Sequence, residues 1–295
     1  MAWYRSPIML ACVAVFLGCI MDALIKHAGA AYAALTIAAM RFTVASVFAG
    51  VLFVSAGRPM ANRRNTRLLL ARGVLQSIAA TTFFHSLSIL GLAEATVIAF
   101  MAPLVLAALA MTFLKEPARI LSLAAIGVGF AGVLITVSGE PLTTDANPRR
   151  LEGVASALTA AVTYAAANIL LRVAAQSTPS PTVVLFSNIT PMIILAPIAL
   201  MTTGVPALPD VPLFILIGAG GFGLWYFMTL AYARAPAQRL APLEYTALIW
   251  SAALGFFVFA EVPKPEVFVG ATVIMLAVGL TAWDEKHAQL HADKP

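Results

Sequence analysis

Charge is scarce in this sequence: Asp, Glu, Lys and Arg make up 11% of the 295 residues, where an ordinary soluble domain carries about 25%. With 61% apolar residues and a mean hydropathy of +0.93, that scarcity excludes a water-soluble globule, which could not hide so much apolar surface. Cysteine is almost absent. Cys12 and Cys19 lie seven residues apart in one apolar run, which puts them on one helix face and excludes a disulfide between them within a regular helix. There is no paired-histidine or cysteine framework for zinc, and no glycine-rich phosphate loop ending in Lys-Ser/Thr. No cofactor or metal is therefore expected, nor ATP-driven pumping by this chain alone, and the acids are too scattered to suggest an enzyme. The net charge of +5 forms no basic patch. Its residues sit between apolar segments, so nucleic acid is not an expected partner.

What the sequence has in quantity is apolar runs of about 20 residues, the length that crosses a bilayer core. Ten are present, near Pro7–Ala28, Tyr32–Ser55, Leu68–Leu90, Ala93–Leu114, Arg119–Ser138, Leu151–Ala174, Pro181–Thr202, Val211–Ala233, Ala237–Ala260 and Pro265–Trp283. Arg5 before the first run imitates a secretory signal, but the run extends to about Ala28 and reads as a first spanning helix. The expectation is an all-α integral membrane protein of ten transmembrane helices in a bacterial inner membrane, with the lipid bilayer as its main partner and a short polar tail after Trp283. Lys and Arg set the orientation. Arg5, Arg58, Arg63, Arg64, Arg67, Lys115, Arg119, Arg234, Arg239, Lys286 and Lys294 fall on one side, and Lys26, Arg149, Arg150 and Lys264 on the other. Both termini are therefore expected to be cytoplasmic, with the loop Arg63–Arg67 as the strongest contributor.

The chain also repeats itself. Asp22 to Lys26 matches Asn168 to Arg172 at an offset of 146; Arg41 falls on Asn188 and Gly57 on Gly204 at 147. Phe83-Phe84 falls on Tyr226-Phe227 at 143, and Lys115-Glu116 on Ala260-Glu261 at 145. Their order and near-constant spacing divide the chain into residues 1–140 and 141–284, with a tail over 285–295. Five helices per copy is an odd number, so the second copy is expected to be inserted upside down. Inverted repeats are the architecture by which many secondary transporters build two alternating access states.

Ala241-Pro-Leu-Glu-Tyr-Thr-Ala-Leu-Ile-Trp250, with Gly255 and Phe259-Ala-Glu261, resembles the ninth helix of the drug/metabolite transporter superfamily in its ten-helix EamA-type branch. Met101-Ala-Pro103-Leu104, Leu114-Lys-Glu116 and Gly127-Val-Gly129-Phe-Ala-Gly132 are similar to that branch's fourth and fifth helices. The resemblance covers roughly residues 7–283. It implies transport of small metabolites, amino-acid exporters, including those for aromatic amino acids, being nearest in character.

Ionisable residues inside a bilayer cost about 2.5–3.5 kcal/mol each on insertion scales, so each needs a reason. Arg41 sits near the middle of the second helix, either holding a substrate carboxylate or pairing with Asp22 or Glu244. Asp22 and Lys26, an i, i+4 pair, are matched by Asn168 and Arg172; these four positions supply candidate gating charges or interfacial anchors. Glu244-Tyr245, after Pro242, is a candidate for binding an amino group or carrying a proton. Gln76, Phe83 and His85 on the third helix, Phe100 on the fourth, Tyr164 and Asn168 on the sixth, and Trp225 and Tyr226 on the eighth complete a candidate central cavity. Such a lining suits a zwitterion with a variable apolar side chain. Pro103 is the candidate hinge. Glycines on the fifth and tenth helices suggest close packing and a possible dimer face, so monomer and homodimer both stand. The expected function is export of amino acids with broad specificity by alternating access. The alternative is uptake of a cofactor or nucleotide-like metabolite such as riboflavin or S-adenosylmethionine.

Overall fold

The computed structural model describes residues 6–113, 120–138, 147–175, 178–232 and 246–292. Among them are eleven α-helices and no strand: α1 (Pro7–Ala28), α2 (Ala34–Ser55), α3 (Arg63–Leu87), α4 (Leu92–Ala99), α5 (Ala102–Phe113), α6 (Ile120–Ser138), α7 (Arg150–Ala175), α8 (Ser180–Thr202), α9 (Val211–Tyr232), α10 (Thr246–Phe259) and α11 (Pro265–Ala292). Five described stretches, Ile8–Ala28, Ala34–Ser55, Arg150–Leu171, Ser180–Thr202 and Leu208–Met228, are long and apolar enough to cross a membrane. The chain is a multi-pass membrane protein.

Local chemistry sets the helix ends. Ser6 caps α1, its hydroxyl accepting from the Met9 N–H, with Pro7 in the first turn. Asn62 caps α3 by accepting from the Asn65 N–H at 2.8 Å. That cap starts α3 five residues earlier than the hydropathy places it, so Arg63, Arg64 and Arg67 lie on its first turns and not in a loop. The ends of α2 and α8 are followed by Gly57 and Gly204, at φ +80° and +78°, a left-handed conformation that glycine adopts without a Cβ clash.

Two further boundaries differ from the hydropathy reading. The expected fourth span is broken into α4 and α5 at Phe100-Met101, and Pro103 falls in the first turn of α5. A proline interrupts a continuous helix but suits a helix start, where its missing N–H is not needed. The last helix does not stop at Trp283 but runs on to Ala292.

The strongest helix pairings are α1 with α9, α3 with α7, α2 with α8, and α6 with α11. Around them α2 meets α9, α3 meets α8, α1 meets α10, α5 meets α7, and α4 meets α10. The main core is aliphatic and aromatic, with Ile37, Phe42, Leu87, Leu92, Ile98 and Phe214 fully buried. At the α6–α11 crossing a Cβ on Gly270 would overlap Thr136 Oγ1 and press on the Gly132 carbonyl. These two glycines are thus used in packing within the chain, whereas Gly127 and Gly279 have open space where a side chain would stand.

Two sets of loop contacts mark the two ends of the bundle. At one, Lys26 of α1 reaches the turn between α3 and α4, Thr36 donates to Thr203 at 2.6 Å, and the Tyr32 hydroxyl donates to Asp210. The hydrogen bond to the Asp210 carboxylate holds the Tyr32 proton and raises its pKa above the usual phenol value. At the other, Asn65 donates to Thr178 at 2.9 Å and the Thr182 hydroxyl donates to the Pro59 carbonyl. Overpacking a tight crossing costs about 1–3 kcal/mol. Gly270→Val is therefore expected to lower the thermal unfolding midpoint of the detergent-purified protein by several degrees, while Gly279→Ala leaves it unchanged.

Candidate functional site

Two arginines lie buried in the middle of the bundle. Arg41 of α2 is 4% exposed and Arg72 of α3 is 2% exposed. The Arg41 guanidinium stacks over its neighbour Phe42, 4.2 Å from the ring centroid. It lies so close to α9 that a Cβ on Gly221 would come within 2.6 Å of its Nε; only glycine leaves that room. Its Nε and Nη1 have no hydrogen-bond partner among the described residues. Among the described residues, Asp22 of α1 and Arg72 are charged groups near enough to act on it through space.

Arg72 is better held. Its Nη1 donates to Gln76 Oε1 at 2.8 Å, one turn on, and to the Ser187 hydroxyl of α8. Its Nε has no partner among the described residues. The guanidinium carbon lies 5.8 Å from the Trp225 ring of α9, and Trp225 lies 6.5 Å from the Tyr164 ring of α7. Tyr164 is 37% exposed, so the other helices do not cover this side of the group. Asp22, Arg41, Arg72, Gln76, Tyr164, Ser187 and Trp225 thus form one cluster drawn from six helices. It holds two cations and one carboxylate. Leaving a buried donor unsatisfied costs about 1–3 kcal/mol, and the under-satisfied guanidinium N–H groups make the cluster complementary to an anionic group.

Of the residues singled out in the sequence, Gln76, Tyr164, Trp225, Asp22 and Arg41 come together here. Asn168 is half-buried one turn beyond Tyr164 on α7. Tyr226 leads away, stacking on Phe222, which stacks on Phe48 of α2. Phe83 packs against the main core beside Phe84, and Phe100 stands at the α4–α5 break. His85 lies apart, at the Lys26 end, where its Nε2 is 2.7 Å from Glu152 Oε1 and Glu152 also pairs with Arg149. Lys26 pairs with Glu261 at 3.0 Å and not with Asp22, its neighbour on the helix. Glu244, Tyr245 and the Arg172 side chain lie outside the described residues.

Arg72 and Ser187 were not singled out. Arg72 follows three other arginines and lies four residues inside the apolar run, so hydropathy merges it with the basic boundary. The usable signal was the pair Arg72 and Gln76 at i, i+4, which puts two polar groups on one face of a spanning helix.

The chain matches the EamA-like transporter family twice, over residues 5–138 and 151–283, and belongs to that family. It is a transporter. It is 27% identical over 267 residues to an S-adenosylmethionine uptake transporter of Rickettsia bellii, covering 90% of each chain. It is 25% identical over 277 residues to the pseudopaline exporter CntI of Pseudomonas aeruginosa, covering 92% of this chain and 94% of that one. A crystal structure 17% identical in sequence has the same fold, with a TM-score of 0.65 over 96% of this chain and 98% of the other.

Removing one partner of a buried hydrogen bond costs more than removing both. Gln76→Leu is expected to destabilise the protein by about 1–3 kcal/mol. Adding Arg72→Met to it should recover much of the loss, both changes being read from thermal unfolding in detergent.

Proposed function

We propose that this chain is a secondary transporter that exports amino acids of broad side-chain type across the bacterial inner membrane by alternating access. The observation that carries the reading is the central cluster, in which Arg41 lies within electrostatic reach of Asp22 and Arg72 lies beside the aromatic pair Trp225 and Tyr164. Arg72 and Arg41 anchor the substrate carboxylate, Asp22 takes the ammonium, and Trp225 and Tyr164 receive the side chain. Such a division of labour suits a zwitterion and leaves the side chain loosely specified.

The two access states come from two inverted five-helix repeats, residues 1–140 and 141–284, with both termini cytoplasmic. The helix pairings support this. If the first five spans correspond to the last five, α1 with α9 corresponds to α3 with α7, α2 with α9 to α3 with α8, and α1 with α10 to α5 with α7. The pairs α2–α8, α6–α11 and α4–α10 then correspond to themselves. The matched glycines Gly57 and Gly204 add a local correspondence, since both follow a helix end in the same left-handed conformation. The break before Pro103 supplies the hinge.

Uptake of S-adenosylmethionine is the second reading, favoured by the Rickettsia relative. That molecule is itself an α-amino acid carrying an adenine ring, which the Trp225–Tyr164 pair would stack.

Radiolabelled substrates in proteoliposomes, with and without a proton gradient, test both. Amino acids with large side chains are expected to move above protein-free controls, and their methyl esters are not. A charge-assisted hydrogen bond contributes about 1.5–3 kcal/mol, so Arg72→Leu should raise the half-saturating concentration at least about tenfold. Transport of S-adenosylmethionine without amino acids would select the second reading. Movement of neither overturns the proposal.

A further inference from the structure

At the Lys26 end, one ammonium group holds three elements together. Lys26 Nζ lies 3.0 Å from Glu261 Oε1 and donates to the Leu87 carbonyl at 3.1 Å and to the Leu90 carbonyl at 2.5 Å. An ammonium has three N–H donors, and all three are used. The Lys26 side chain is 14% exposed, so these contacts are sheltered from screening by water.

The carboxylate is placed as closely. Glu261 Oε2 accepts the Leu92 N–H at 2.9 Å, capping α4, whose own cap position is Gly91 and offers no side chain. A Cβ on Gly255 would lie 3.2 Å from that oxygen, a tight contact, so this glycine leaves the carboxylate its space, whereas one on Gly91 would meet it at an ordinary 3.6 Å. The turn that presents it is strained: Ala260 is held at φ +55° and the Glu261 N–H returns to the Gly255 carbonyl at 3.0 Å. A non-glycine residue in that region costs about 1–3 kcal/mol and persists where its surroundings fix it.

Beside this pair, Arg150 Nη2 lies 2.6 Å from Glu94 Oε1 and its Nη1 donates to the Val137 carbonyl at 3.0 Å, joining α7, α4 and α6. Between the two ion pairs lies a pocket of about 290 Å³, lined by Glu94, Asn147, Arg150, Glu261 and Lys264 among others. Lys26 belongs to the first half of the chain and Glu261 to the second, so their contact closes a seam between the halves.

We propose that the Lys26–Glu261 pair is a latch that closes the central cluster toward this end of the bundle, and that the polar pocket beside it is the way in when the latch parts. Opening frees the α4 N-terminus along with the lysine, since the same carboxylate caps that helix. α4 continues through the break into α5, so the latch is coupled to the candidate hinge at Pro103. The inference rests on the transport reading only for the identity of what passes.

The test reads access to the cluster without any substrate. In a Cys12→Ser, Cys19→Ala background, Tyr164→Cys is labelled with a membrane-impermeant maleimide applied from the Lys26 end. Lys26→Met and Glu261→Gln are each expected to raise the labelling rate at least about tenfold. Glu261→Gln keeps an oxygen for the Leu92 N–H, so it removes the charge and retains the cap. In a second arm, without the reporter cysteine, Lys26→Cys and Glu261→Cys are joined by a bis-methanethiosulfonate. Transport of whichever panel substrate moves should stop and return on reduction. If both single variants elute and melt as the parent does and label no faster, the latch is overturned. Equal transport by the cross-linked and reduced proteins overturns it as well. Faster labelling of the reporter variants, with no panel substrate moved by the parent protein, supports the latch and rejects the substrate assignment alone.

Discussion

Arg41 and Arg72 carry charge in a place where charge is costly, and much of the arrangement around them follows from that. A cation cannot be left bare in a low-dielectric interior, so each guanidinium is surrounded by whatever partial compensation the helices can bring: a ring face, a hydroxyl, an amide oxygen, a carboxylate at a distance. Gly221 is bare because Arg41 fills the volume its side chain would take, and α9 packs closely on α2 for the same reason. Gln76 and Ser187 tie α3 to α8 through Arg72. The compensation is incomplete among the described residues, and the substrate carboxylate proposed above would complete it.

The two ends of the molecule use charge differently. At the Lys26 end most charged groups meet a counter-charge: Lys26 pairs with Glu261, Arg150 with Glu94, and Glu152 with both His85 and Arg149, while Glu266 Oε2 is buried without a partner among the described residues. Saturated pairs give definite geometry and two discrete states, made or broken. In the centre, the unpartnered guanidinium N–H groups would supply affinity for the proposed substrate. A carrier needs both kinds of site in one bundle, and they lie on overlapping helices: α1 contributes Asp22 to the centre and Lys26 to the end, one turn apart.

The helix inventory was largely legible in the sequence because lipid imposes a length on apolar runs. What hydropathy missed is what it does not encode. The Asn62 cap extends α3 through three arginines that read as loop, and the break before Pro103 splits a run that is apolar throughout. Gln76, Tyr164, Trp225, Asp22 and Arg41 were found because polar and aromatic groups stand out against apolar helices. Their convergence was not visible, since it depends on which helices are neighbours. Arg72 was hidden by its own neighbours, and His85 was placed in the centre on residue type alone, although its partner Glu152 is 67 residues away in sequence. Lys26 shows the same limit: Asp22 is the nearer acid along the helix, and Glu261 is the one it meets.

The correspondence of Arg41 with Asn188 has a further consequence. Asn188 is 1% exposed, and its amide donates to the Val184 carbonyl while Oδ1 has no partner among the described residues. One half of the chain therefore places a full charge where the other places only a dipole. Under an exchange of roles between the halves, the backbone arrangement is mirrored while the electrostatic energy is not. If the halves exchange roles as proposed above, the two orientations would have unequal resting populations, by a factor of ten for each 1.4 kcal/mol of difference. Such a carrier, when empty, would wait mostly facing one compartment, and the charge difference between Arg41 and Asn188 would help to decide which.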